Sequence, residues 1–128
     1  DRWAADGRLL INAYGPTEAT IWATIGLVQG EVTLGNALRG YRLKVVDEEL
    51  WIGGDAVARG YRHLPEATAS RFITDPDGVR WFRTGDRVLE RRDGALLYRG
   101  RFDEQVKIAG QRAEPGEVEQ LLRAAPGV

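Results

Sequence analysis

The 128-residue sequence predicts a strand-rich α+β fold. Three features carry that expectation. Short apolar runs rich in β-branched and aromatic residues are punctuated by glycine, of which there are 16. An Asp93-Gly94 pair separates two such runs, a strong hairpin signal. Only two stretches carry clear helix signals, "PEATASRF" and "PGEVEQLLRAA".

Residues 1–8 are polar and read as a helix end plus a loop. "RLLINAY" (8–14) is apolar and is stopped by Gly15-Pro16, as a buried strand would be. "TIWATIGLV" (20–28) is β-branched and reads as a second strand. "YRLKVV" (41–46) and "ELWIGG" (49–54) are two more. Pro65 suits the first turn of a helix over 65–72, and Glu66 favours its N-terminal end. "VLER" and "ALLYR" flank the Asp93-Gly94 turn. The texture then changes. A charged turn leads to a short strand, "QVKI", and to a helix over 115–125 with Pro115 near its start and Glu117 and Glu119 early. Val118, Leu121, Leu122 and Ala125 share one face of that helix. A boundary near Arg101–Asp103 divides the chain into 1–102 and 103–128. The second part is too small for a core of its own, and "LLIN" has no earlier partner, so the expectation is a window of a longer protein.

Composition excludes several functions. A formal net charge of −1 gives no reason to expect nucleic acid or an anionic membrane as partner. Without cysteine there is no disulfide framework and no thiolate metal site. One histidine, His63, cannot build a multi-histidine metal site. No apolar run approaches the roughly 20 residues of a membrane span. The expectation is a soluble cytoplasmic domain.

Three short motifs carry chemistry. In "NAYGPTE" (12–18) Tyr14 offers a flat ring to stack on a base, Thr17 a hydroxyl for a phosphate oxygen, and Glu18 a hard oxygen ligand suited to Mg²⁺. One turn would thus touch the base, the phosphate and the metal of a nucleotide. In "RTGD" (83–86) Asp86 could present its carboxylate to a ribose diol. In "GRFDEQVKIAG" (100–110) Arg101 could reach a ribose or a phosphate. Taken alone, the first motif reads equally well as an ordinary turn with chance polar residues, and for the second and third the ordinary turn is the favoured reading.

Together, "NAYGPTEATIWAT", "ELWIGGDAVARGY", "WFRTGD" and "GRFDEQVKIAGQRAEPGEVE" resemble, in order, the adenylation domain of nonribosomal peptide synthetases, within the acyl-adenylate-forming enzymes. The resemblance covers nearly the whole chain. It implies the C-terminal part of the large subdomain, a distorted β-barrel region, followed by the hinge and start of a small α+β subdomain. It implies an enzyme that joins an amino acid to ATP, releases pyrophosphate, and passes the acyl group to a carrier-protein phosphopantetheine. By resemblance, Asn12 would contact the adenine amino group and Tyr14 would stack on the ring. Thr17 would bind the α-phosphate and Glu18 Mg²⁺, the two groups nearest the chemistry. Asp86, with Arg101 close by, would hold the ribose. Ala13, Ile21 and Trp22 would line the amino-acid pocket, with strand core the lesser alternative for Ile21 and Trp22. A pocket-lining Trp22 would favour a small substrate side chain. Asp103 would be the hinge aspartate, and Gly110 and Arg112 would border the pantetheine tunnel. Partners would be the amino acid, a carrier domain, other synthetase domains and a small activator protein.

The sequence also departs from the family. The Gly/Ser/Thr-rich phosphate loop and the catalytic Lys have no counterpart in these residues, so the chain alone is expected to be inactive. Ala113 and Pro115 replace the usual Ile and Leu. Glu48 and Glu49 abut where the family carries a longer Pro- and Gly-containing loop. The expectation there is a gap of missing residues, with Gly30–Glu31 a second, smaller one. Two other readings stay open: an acyl- or aryl-CoA ligase, and an interrupted domain without catalysis.

Overall fold

The computed structural model describes residues 7–103, 105–108, 111–113 and 115–125. The expected strand-rich α+β fold is what forms. The chain runs β1 (Ile11–Tyr14), a 3₁₀ turn (Thr17–Ala19), β2 (Thr24–Leu27), β3 (Asn36–Ala37), β4 (Tyr41–Val46) and β5 (Glu49–Gly54). It continues through α1 (Pro65–Arg71), β6 (Phe72–Thr74), β7 (Arg80–Glu90), β8 (Leu96–Arg101), β9 (Val106–Ile108), β10 (Gln111–Ala113) and α2 (Pro115–Ala124).

Three antiparallel groupings result. β1, β2 and β3 form one sheet, with Tyr14 opposite Thr24. β4-β5-β7-β6 form the larger sheet, and β8 pairs with the far half of β7. β9 and β10 form a separate hairpin. "LLIN" therefore finds its partner after itself in the chain, in β2. The expected helix at the very start falls mostly on residues outside those described.

Strand alternation builds the core. Leu50 and Ile52 on β5, Phe72 on β6 and Phe82 on β7 point to one side of the larger sheet, all buried. Ala19, Ala23 and Leu34 meet them from the smaller sheet and its 3₁₀ turn. The Phe72 and Phe82 ring centroids lie 5.0 Å apart, and Tyr61 meets Phe72 edge-on at 5.4 Å. The rings thus cement the seam on which the loop after β1 rests.

The expected gap at Glu48–Glu49 is not present. β4 and β5 pair without interruption, Val46 opposite Glu49. Asp47 and Glu48 alone close the hairpin, with φ of +49° and +64°. Two successive positive φ values describe a type I′ turn, whose twist matches the flanking strands. The connection is continuous and short. At Gly30–Glu31 the chain makes an exposed bend, with Gly30 at φ +89°.

Phe82 is 1% exposed at the centre of this core. Phe82→Ala is expected to cost about 3–5 kcal/mol of stability. Chemical denaturation would show it as a lower midpoint at unchanged slope.

Candidate functional site

The first functional segment takes its shape from the turn after β1. Strand alternation puts Asn12 and Tyr14 on one face of β1 and Ala13 on the other. Asn12 Nδ2 donates to the Thr33 carbonyl at 2.7 Å, which fixes the amide. At Gly15 the chain after the 3₁₀ turn folds back on itself. A Cβ there would lie 2.6 Å from both the Ala23 nitrogen and the Ile21 oxygen, so only glycine fits. The Ala23 N–H then donates to the Tyr14 carbonyl at 2.8 Å.

That fold-back shortens the second strand. Thr20 and Ile21 adopt left-handed φ of 55° and 70°, and β2 begins only at Thr24. The expected strand over 20–28 is therefore too long at both ends. Ile21 and Trp22 are 66% and 56% exposed, so they are not strand core. β-branched side chains rarely take this conformation, and here the tight return over Gly15 holds it.

Within the turn, Pro16 ends the strand and its carbonyl accepts the Ala19 N–H at 3.0 Å. Thr17 stays exposed, while Glu18 is only 7% exposed. Glu18 Oε1 accepts a hydrogen bond from the Tyr61 hydroxyl at 2.7 Å.

The second segment is a bulge in β7. Between its pairings with Glu49 and Trp51, β7 advances from Arg87 to Arg83, two residues more than β5 does. Gly85 sits in the bulge at φ +73°. Its N–H donates to Glu49 Oε1 at 2.9 Å, and Arg83 donates to Glu49 Oε2 from Nε and Nη2. Thr84 Oγ1 donates to the Leu50 carbonyl at 2.7 Å and accepts the Asp86 N–H at 2.9 Å. The buried Glu49 carboxylate thus holds the bulge from below, and the bulge aims Asp86 inward.

At Asp86 the two segments meet. Asp86 is 5% exposed. Its Oδ2 accepts the Tyr14 hydroxyl, and its Oδ1 accepts Arg101 Nη1 at 2.6 Å. Arg101 Nε and Nη2 donate to the two Asp103 oxygens at 2.6 and 2.8 Å, and Nη2 also donates to the Thr84 carbonyl. Arg71 Nη2 reaches Asp103 Oδ2 at 3.0 Å. A line of alternating charges therefore runs Asp86, Arg101, Asp103, Arg71.

The electrostatics come from that line. Hydrogen bonds from Arg101, then from Arg71, outweigh burial and lower the Asp103 pKa to about 2. The Asp103 bond in turn raises the Arg101 pKa above its already high ordinary value. Burial, then the neighbouring Asp86 charge, pushes the Tyr14 hydroxyl well above the usual phenol range. Tyr14 therefore stays a proton donor to Asp86.

The structure brings together Tyr14, Asp86, Arg101 and Asp103. Arg101 spends donors on both aspartates, where the sequence suggested a ribose or phosphate contact. Glu18 lies on the buried side of its turn and Thr17 on the exposed side. Arg112 lies in β10 and Gly110 lies outside the described residues. Sequence reasoning missed Glu49, Tyr61 and Arg71. Arg71 carries no motif, because a basic residue in the last turn of a helix is expected for the helix dipole alone. Among the described residues no group of three or more His, Asp or Glu could hold a metal ion, and no helix is long and apolar enough to cross a membrane.

No family model matches the chain. It is 52% identical over 143 aligned residues to a probable non-canonical nonribosomal peptide synthetase, CymA, of Salinispora arenicola. That match covers 99% of this chain and 2% of the relative. The alignment is longer than the 128-residue chain, so the relative carries insertions with respect to it. A solved holo synthetase protein containing adenylation and PCP domains superposes with a TM-score of 0.85 at 32% identity, over 93% of this chain and 24% of that one. A four-domain synthetase bound to AMP and glycine matches at TM-score 0.70 and 41% identity, over 93% of this chain and 10% of that one. The homologues of this chain are adenylation-domain regions of nonribosomal peptide synthetases, and it spans a small part of their length.

The low Asp103 pKa sets a pH dependence. A carboxyl held below its unfolded value stabilises the folded state above that value, so the contribution is present above about pH 4 and fades towards pH 2. Acid unfolding curves should show this loss, and Asp103→Asn should flatten them over that interval.

Proposed function

We propose that this chain forms part of the nucleotide site and the hinge of an adenylation domain that activates an amino acid with ATP. The observation that carries this reading is the contact of Tyr14 with Asp86. These residues stand 72 positions apart in the sequence, in two separate motifs. Under the reading one faces adenine and the other the ribose, so they should be neighbours, as they are.

Asn12 and Tyr14 would then bind the adenine, Asp86 the ribose hydroxyls and Thr17 the α-phosphate. Tyr14 would stack with its ring while its hydroxyl stays on Asp86. Each Asp86 oxygen accepts one hydrogen bond, and a carboxylate oxygen has room for another from a ribose hydroxyl. Ala13, Ile21 and Trp22 would face the amino acid. The exposure of Ile21 and Trp22 leaves both side chains able to meet a substrate. Residues 103–128 would begin the small subdomain, with Gly110 and Arg112 near the path of the carrier's phosphopantetheine.

The reaction needs no protein nucleophile. The substrate carboxylate attacks the α-phosphorus, a new P–O bond forms, and the bond to the β-phosphate breaks to release pyrophosphate. A carrier thiol would next attack the acyl carbon and release AMP. The chain's part is to orient the nucleotide and hold its charge in place. By its donor chemistry Glu18, whose Oε1 already accepts the Tyr61 hydroxyl, would be the carboxylate ligand for Mg²⁺. Mg²⁺ sites built on one or two carboxylates plus substrate phosphates need no larger protein cage. The ion would neutralise phosphate charge there.

Amino-acid-dependent ATP–pyrophosphate exchange tests the reading in the full-length protein. Asp86→Asn is expected to raise the KM for ATP by about tenfold or more, the loss of one charged hydrogen-bond acceptor. The KM for the amino acid should move far less. A pocket containing Trp22 should prefer amino acids with small side chains. No exchange with any amino acid, or exchange with a bulky aromatic one preferred, would count against the reading or its pocket respectively.

A further inference from the structure

We infer that Arg71 is a positioning residue that weights the orientation of the chain beyond Asp103. The inference rests on the adenylation reading, in which residue 103 is a hinge between the two half-reactions.

Asp103 is held mainly through its side chain. The last ladder-like bond before it runs from the Phe102 N–H to the Gly85 carbonyl at 2.9 Å. Past that point the chain leaves the sheet at a bend. Asp103 is then fixed to the preceding structure through its carboxylate. Two cations reach it, and they are not equivalent. Arg101 is two residues away at the end of β8, paired opposite Asp86 and bonded to it, so it ties Asp103 to the adjoining strand. Arg71 is 32 residues away, at the end of α1. Its bond to Asp103 adds a second tie, from a different element of the same body and more open to solvent.

α1 is well tied to that body. The next residue, Phe72, is buried in the core and stacked against Phe82. Thr68 Oγ1 accepts the Tyr61 N–H at 2.9 Å and so binds the helix to the preceding loop. Beneath the pair lies Gly85, where a Cβ would come within 2.9 Å of Arg71 Nη1 and Arg101 Nη2. The bare backbone lets both guanidiniums converge on one carboxylate. A cleft of about 380 Å³, bordered by Arg71, Asp103, Phe102, Gly85, Glu49 and Arg83, adjoins this contact and leaves it open to solvent.

That exposure sets the strength. The Arg71 and Asp103 side chains are 30% and 27% exposed, against 13% and 7% for Arg101 and Asp86. A partly exposed pair biases an equilibrium modestly, by about two- to fivefold. Such a bias can weight one orientation and still release it.

The test uses Arg71→Gln and Arg71→Lys in the full-length protein. Pyrophosphate exchange and loading of a carrier domain are measured separately, with chymotryptic cleavage after the exposed Phe102 as a third readout. Arg71→Gln is expected to change the ratio of the two half-reaction rates by about two- to fivefold. It should leave the KM for ATP unchanged and speed cleavage at Phe102 by a similar factor. Arg71→Lys, which keeps the charge, should recover most of each effect. An unchanged ratio, or a parallel fall in both rates without faster cleavage, would overturn the inference. If the wild-type protein shows no amino-acid-dependent exchange, the adenylation reading fails. The cleavage rate then still decides whether Arg71 restrains residue 103.

Discussion

The Arg101 guanidinium, 13% exposed, is the group on which the rest of the site depends. A cation so far removed from water needs close anionic partners, and Asp86 and Asp103 supply them from opposite sides. Arg71 adds the second positive charge, so the four-residue line is formally neutral. Removing Arg101 would leave the buried Asp86 carboxylate uncompensated, whereas Arg71 meets only the more exposed Asp103. The line also joins two places of different purpose. At one end Asp86 holds Tyr14, and at the other Asp103 marks where the chain leaves the sheet.

This line depends on backbone devices that put each charge where it is. The β7 bulge, anchored by Glu49 through the Gly85 N–H, turns Asp86 into the interior. The return of the chain over Gly15 brings Ala23 onto the Tyr14 carbonyl and fixes the end of β1. The aromatic seam of Tyr61, Phe72 and Phe82 supports both. Tyr61 belongs to the seam and also bonds Glu18, so core packing and the orientation of that carboxylate share one residue. Stability and site geometry are therefore not separable here.

Much of this fold was legible in the sequence because local signals agree with it. β4, β5, the hairpin at Asp93-Gly94, and both helices are readable from period, turn residues and proline placement. What escaped was set by contacts between segments. β2 is short because Gly15, before the turn, lets Thr20 and Ile21 go left-handed. β3 and β6 have two and three residues, too few to show a period. The Asp47–Glu48 turn read as a break because the resembled family carries a longer loop there, and it lacks the usual Asn-Gly or Asp-Gly signature that would have marked a tight hairpin. At the site, Tyr14, Asp86, Arg101 and Asp103 stood out through motifs, while their roles came from family resemblance. Glu49 and Arg71 looked like a strand residue and a helix-end charge. Only the fold shows that they hold a bulge and reach Asp103.

The central claim is that Arg101 couples the end of the sheet to Tyr14 and Asp86, the residues proposed to bind the nucleotide. The most direct measurement is the ATP affinity of the protein carrying Asp103→Asn, by equilibrium titration. Asp103 makes no hydrogen bond to Tyr14 or Asp86 among those described, and the bonded route from it to them runs through Arg101. The account predicts ATP binding weakened by about two- to fivefold. Affinity equal to wild type, with the protein folded, would contradict it.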